Sequence, residues 1–174
     1  DLAAHMVERT AHERPVILLV PGHPLMFNAV GRYLAAEGRR LELGVQVVAA
    51  PSPLDVIIGG IGLDVSTFGL QVFDATRLVA RSQAVNPQVP AILMHVGGIG
   101  AAAPGVKPPL AALAAYLARC YPPSHPATLV WLGAEGMRAA SVPLERLAER
   151  ADEVDSGSHL FLDAVRPTPP GQTA

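Results

Sequence analysis

Apolar positions along this chain fall into short blocks, each closed by glycine or proline. Val16 to Val20 is an unbroken apolar run that stops at Pro21-Gly22. It reads as a buried strand followed by a tight turn. Leu25 to Glu37 is amphipathic with helical spacing and ends at Gly38, so it predicts a helix, with Pro24 presetting φ at its start. A strand, a turn and a helix in this order mark the place where an open α/β sheet presents its backbone to a ligand. Farther along, Leu2–Arg9 reads as the end of a helix. Gly44–Ala49 is a valine-rich strand, and Ser52 caps a short helix over Pro53–Ile61. Gly69–Phe73 predicts a strand, and Ala75–Arg81 a helical turn. Ala91–Val96 is a strand, the Gly- and Ala-rich stretch Gly97–Val106 a loop, and Pro108–Cys120 a helix with Leu110, Leu113 and Leu117 on one face. Ala127–Leu132 and Met137–Ser141 predict strands, Pro143–Arg150 a helix and His159–Val165 a strand, before a Pro-rich tail expected to be disordered.

Helices alternating with strands make this an α/β protein. Asn86-Pro87 and Pro90 form the strongest interruption. The expected division is therefore a first domain over 1–88, a second over 89–166 and a tail over 167–174.

Composition narrows the chemistry. Half of the 174 residues are hydrophobic and 16% are charged, so the chain has a sizeable core or surfaces meant for a partner. The net charge of −2 with a single lysine, Lys107, argues against nucleic acid as a partner. The apolar blocks are too short for a membrane span. Cys120 is the only cysteine, which points to the cytoplasm. The six histidines are scattered without metal-ligand spacing, so no metal site is expected. No nucleophile elbow, Walker loop or Gly-x-Gly-x-x-Gly fingerprint is present, and Gly157-Ser158-His159 lacks the glycine pattern of an elbow.

Five landmarks in order carry a resemblance. They are Gly22-His23-Pro24 with Phe27, Ala49-Ala50-Pro51-Ser52, Gly69-Leu70-Gln71-Val72-Phe73-Asp74-Ala75-Thr76, Leu93-Met94-His95-Val96-Gly97, and Tyr121-Pro122-Pro123 leading to His125-Pro126. Together they resemble the tetrapyrrole (corrin/porphyrin) methylases. His23 and the Asp-Ala-Thr segment lean toward the peptide N-methyltransferases and the branch fused to pyrophosphohydrolases. The resemblance implies a two-domain α/β methylase-like architecture whose first domain is truncated at its amino end, and a cleft that binds S-adenosylmethionine. It implies transfer of the methyl group to a small-molecule acceptor, a tetrapyrrole, or to a peptide backbone amide. By the same carry-over, Gly22, His23, Pro24, Phe27 and Ser52 flank the methionyl and ribose parts of the cofactor. Met94, His95, Pro126, Ala127 and Thr128 border the adenosyl part, and Gln71 lines the acceptor side or supports the cofactor turn. No catalytic residue is assigned.

Each of these residues also has a plainer reading. His23 can bond nearby backbone, Ser52 can cap a helix, Gln71 can hold the framework, and Met94 and His95 can sit in the core. The alternative function is a non-catalytic methylase-like module that binds cofactor or a partner and regulates an associated enzyme. The expected assembly is a homodimer, or a complex in which a partner chain supplies the missing strands, since open strand edges otherwise invite aggregation.

Overall fold

The computed structural model describes residues 2–12, 15–99, 110–155 and 157–165. They form two compact units, Asp1–Gly59 and Gly60–Ala174. The expected tail over 167–174 and most of the loop expected over 97–106 lie outside the described residues.

The first unit is built on helices. Helix α1 (Leu2–His12) packs on α2 (Ala29–Arg40), and α3 starts at Pro53 and runs to Ile61. Helix α2 begins four residues later than the hydrophobic pattern predicts. The Met26 N–H donates to the His23 carbonyl at 3.2 Å, and Phe27 adopts φ 52°, so residues 23–27 form a turn. Asn28 then caps the helix by accepting the Gly31 N–H at 2.9 Å. The helix also continues past Gly38 to Arg40. Gly38 is tolerated inside it because a Cβ there would lie 2.3 Å from Val45 Cγ2, so its absence lets the following segment approach. Arg39 and Arg40 in the last turn suit the negative end of the helix dipole.

The two strands expected in this unit do not pair. Residues 15–20 and 44–50 carry no regular secondary structure and, among the described residues, no hydrogen bond to their backbone. Ile17 and Leu19 are 77% and 87% exposed, and Val48 is 72% exposed.

The second unit contains a five-stranded mixed sheet, consistent with the α/β class expected from sequence. Its strands are β1 (Gln71–Asp74), β2 (Ala91–Met94), β3 (Pro126–Gly133), β4 (Gly136–Pro143) and β5 (Ser158–Leu162), in the order β1-β2-β5-β3-β4. Only β1 and β2 are parallel, with Asp74 opposite Met94 and with α5 (Ala75–Ala80) in their crossover. The other pairs are antiparallel. Registers Leu93↔Leu160 and Leu129↔Leu160 put three leucines in one row across the sheet. That row is fully buried with Leu78 of α5, Leu113 and Leu117 of α6 (Leu110–Leu117), and Leu147.

Several elements differ from their sequence reading. A short helix, α4 (Val65–Phe68), forms where none is expected, capped by the Asp64 carboxylate on the Ser66 and Thr67 N–H groups. Residues Leu144–Glu153 form a 3₁₀ helix, longer than the α-helix expected there. Strand β2 stops at Met94 rather than Val96, because His95 turns into the left-handed region at φ 58° and ψ 46°.

Candidate functional site

Within the first unit the Gly22 turn and the Ser52 turn meet. Gly22 has φ 73°, and a Cβ added there would lie 3.4 Å from the Pro51 carbonyl oxygen and 3.5 Å from Pro53 Cδ. Those are ordinary contacts, so it is the positive φ, rather than lack of room, that calls for glycine. His23 accepts the Leu25 N–H at Nδ1 at 3.1 Å, so that side chain helps hold its own turn. Pro24 lies under the start of α2, where a Cβ at Gly31 would approach its carbonyl oxygen to 2.0 Å. Phe27 holds the positive φ that ends the turn.

Ser52 is buried and acts as a helix cap with a reciprocal partner. Its hydroxyl and its N–H both donate to the Asp55 carboxylate at 2.6 Å, and the Asp55 N–H faces the Ser52 hydroxyl at 3.4 Å. The Ser52 hydroxyl bond is the main reason the Asp55 carboxyl is held below its ordinary range. The result is a pre-shaped loop pair: an open-backbone turn at Gly22 against a capped helix start.

In the second unit the candidate residues separate to opposite ends of the sheet. Gln71 begins β1, opposite Ala91, and Ala91 and Ala127 both pair with Leu162. Gln71, Pro126, Ala127 and Thr128 therefore stand toward one end. Gln71 donates to the carbonyls of Asn86 and Val89 at 2.8 and 3.0 Å and accepts the Asn86 N–H at 3.0 Å. Its amide is spent on anchoring the loop before β2. Ala127 is fully buried.

Met94 and His95 stand at the other end, where the parallel pair β1–β2 finishes. Met94 is 1% exposed and packs as core. His95 is partly open, with Nδ1 at 3.6 Å from Asp74 Oδ2. The remaining Asp74 oxygen caps α5 by accepting the Arg77 N–H at 3.0 Å. The His95 N–H donates to His159 Nδ1 at 3.2 Å, and the two rings are tilted with centroids 5.6 Å apart. His159 is 2% exposed, and burial, reinforced by the nearby His95, pushes its pKa down to about 4. It is neutral at neutral pH, with Nδ1 as acceptor and its proton on Nε2.

Behind this pair, Asp155 Oδ1 accepts the Gly157 N–H at 2.9 Å and the Ser158 hydroxyl at 2.8 Å. Gly97 leaves room for that turn, since a Cβ there would lie 1.7 Å from the Asp155 carbonyl oxygen. Asp74 and His159 are the members of this cluster that sequence reading did not select. The signal for Asp74 was its place in the Asp-Ala-Thr segment at a helix start. His159 lay inside a Gly-Ser-His triplet, and 64 residues of separation from His95 hid the pairing. Among the described residues no group of histidine, cysteine, aspartate and glutamate is arranged to hold a metal ion. Among them, too, no helix is long and apolar enough to cross a membrane.

No family model matches the sequence. Over 87 residues it is 29% identical to the methyltransferase/ribosomally synthesized type I borosin cyclic peptide precursor of Mycena rosella. That match covers 50% of this chain and 22% of the relative, so the chain spans about a fifth of the relative's length. Among solved structures, it is similar to uroporphyrin-III C-methyltransferase from Thermus thermophilus complexed with S-adenyl homocysteine, with a TM-score of 0.67 at 18% identity. The superposition covers 93% of this chain and 71% of that one. Diphthine synthase superposes with a TM-score of 0.64 at 18% identity, over 94% of this chain and 64% of that one. In its fold, the chain resembles the tetrapyrrole methylases, as its five sequence landmarks imply.

Proposed function

We propose that this protein binds S-adenosylmethionine and transfers its methyl group, with a tetrapyrrole or a peptide backbone amide as acceptor. The observation that carries the reading is a fold shared over nearly the whole chain with a methyltransferase solved in complex with S-adenyl homocysteine. The borosin-precursor match favours the peptide amide between the two acceptors.

The chemistry asks little of side chains. A sulfonium methyl group is transferred by in-line displacement: an electron pair of the acceptor forms the new bond to carbon as the carbon–sulfur bond breaks, and the proton on the acceptor's nitrogen or carbon is released to water. S-adenosylhomocysteine leaves as a neutral thioether. Alignment of the two reactants and exclusion of water supply most of the acceleration, and no metal is required. The Gly22 turn fits such a role because its positive φ and missing Cβ let a ligand approach the backbone closely. In this reading Gly22, His23, Pro24, Phe27 and Ser52 receive the methionyl and ribose parts. His95, with the buried Met94 as the core residue before it, receives the adenosyl part, at the carboxyl ends of the parallel strands where α/β sheets bind ligands. Pro126, Ala127 and Thr128 remain proposed contacts, although Met94 and His95 stand toward the other end of the sheet.

Titration calorimetry with S-adenosylhomocysteine tests this directly. Micromolar binding is expected, and Gly22→Val abolishes it, because a β-branched side chain cannot adopt φ 73° without strain. A folded sample that binds nothing rejects methyl transfer for this chain. Binding without turnover on either acceptor class points to the regulatory module instead.

A further inference from the structure

Strands β2 and β5 run antiparallel from Ala91↔Leu162 to Leu93↔Leu160, and one more step in that register would set His159 opposite Met94. The ladder ends there instead. The N–H of His95, the residue just past β2, donates to the imidazole Nδ1 of His159 at 3.2 Å. A side chain of the neighbouring strand thus receives a donor that the ladder no longer pairs. His95 itself holds φ 58° and ψ 46°, a left-handed conformation that is unfavourable for any residue with a Cβ. Such a residue keeps that shape only where its surroundings fix it. Here the fixing comes from each side. The His159 ring takes the N–H before the turn, and the Gly98 N–H donates to the His95 carbonyl at 2.9 Å after it. Asp74 Oδ2 stands 3.6 Å from Nδ1 of the His95 side chain.

His159 suits the task because it neither moves nor charges easily. It lies within β5, paired with Val130 of β3, and is buried. The turn that leads into it is closed by the Ser158 hydroxyl, which donates to Asp155 Oδ1 at 2.8 Å and accepts the Asp155 N–H at 2.9 Å. Strands β2 and β3 and the turn Val96–Gly98 pack against β5, and none of their residues titrates. The titratable groups that act on His159 are His95 and Asp155: Asp155 favours the charged ring and His95 opposes it. Burial outweighs Asp155, so at neutral pH Nδ1 keeps the lone pair that the His95 N–H needs. An apolar residue at 159 would leave that part-buried N–H unpaired.

We propose that His159 is a positioning residue: by accepting the His95 N–H it holds the turn at the end of β2 in the shape that receives the adenosyl part of the cofactor. The role rests on the methyl-transfer reading, in which His95 contacts that part. It extends the site by one strand, since β5 carries none of the residues that the reading assigns to the cofactor. A contact made from a backbone held in this way weakens when the acceptor at 159 is lost. It survives a change of size there that keeps the acceptor, and that separates positioning from packing.

Two measurements on the whole chain test this. Nitrogen NMR of the labelled protein without cofactor reads the bond itself: a coupling between the His95 amide nitrogen and His159 Nδ1 is expected, with the ring proton on Nε2. Absence of the coupling, or a proton on Nδ1, would overturn the proposal. Titration calorimetry with S-adenosylhomocysteine at neutral pH then reads the consequence. His159→Leu is expected to bind at least about tenfold more weakly, while His159→Asn, whose side-chain oxygen accepts the same N–H, stays within about threefold of wild type. Equal binding by wild type and His159→Leu would overturn the role, and so would an asparagine variant as weak as the leucine one. Should the leucine variant not fold, exchange at the His95 amide of the wild type decides. Saturating S-adenosylhomocysteine is expected to slow it at least about tenfold, and an unchanged rate would reject the role. A folded wild type that binds nothing rejects the methyl-transfer reading and this role with it, whereas binding that is indifferent to both substitutions rejects this role alone.

Discussion

Val16–Val20 and Ala91–Met94 are the same kind of sequence with opposite fates. Both are short apolar runs bounded by prolines or turn residues. In the second unit Ala91–Met94 is paired on both sides, and its residues are at most 1% exposed. In the first unit Val16–Val20 is extended and unpaired, with every second side chain open to solvent. Propensity makes a segment strand-like, but a ladder needs a neighbour on each side and layers to cover its faces. Among the described residues, the two segments therefore differ less in local sequence than in having a neighbouring strand to pair with.

The widest contrast is expected from truncating one leucine in each unit. Leu160→Ala removes the middle of the buried leucine row and costs about 4 kcal/mol. Leu19→Ala, at a side chain that is 87% exposed, changes stability by less than about 0.5 kcal/mol. The single tryptophan, Trp131, lies on β3 and follows urea unfolding of the second unit for the first variant. Far-UV circular dichroism follows the second variant. Equal costs would mean that residues 16–20 are buried in solution, and the comparison would collapse.

A smaller effect, again confined to the second unit, concerns acid. His159 titrates at 6.5 when unfolded and at about 4 when folded. Between these values the unfolded chain binds more protons, so stability is full above about 6.5 and falls as the pH drops toward 4. The loss is on the order of 3 kcal/mol and levels off below pH 4. His159→Asn, which leaves an acceptor for the His95 N–H but cannot titrate, flattens this slope in Trp131-monitored unfolding. A slope unchanged by that variant would assign the acid sensitivity to another group.

The smallest effect sharpens the view of the first unit, whose order rests on turns and caps rather than on a sheet. Ser52→Ala removes the hydroxyl that bonds Asp55 and costs about 1 kcal/mol. Exchange at the Asp55 and Val56 amides reads it locally, because both donate to the Ser52 carbonyl. If those amides exchange at wild-type rates in the variant, the cap does not hold the start of α3.

Much of this was legible in one dimension. Pro53–Ile61 is found as the sequence implies, because a serine cap, a proline in the first turn and an aspartate three residues on are local signals. The strands of the second unit were legible as apolar runs, and the methylase-like fold as five ordered landmarks. The start of α2 was misplaced because Leu25 and Met26 fit the helical pattern, while Asn28 offers the stronger cap and Phe27 adopts a conformation rare for a bulky residue. Gln71 read equally as ligand contact or framework, and only the loop at Asn86–Val89 shows where its amide is spent.

By itself, then, the sequence determined the strands of the second unit, the Ser52-capped helix over Pro53–Ile61 and the turn at Gly22, since these depend on residues a few positions apart. Tertiary structure decided the rest: that His95 meets Asp74 and His159, that the candidate residues of the second unit part toward opposite ends of the sheet, and that two strand-like segments of the first unit have no strand partner among the described residues. The reason is physical. Backbone donors, acceptors and ionisable side chains are satisfied by whatever the fold brings beside them, and that neighbour lies anywhere along the chain.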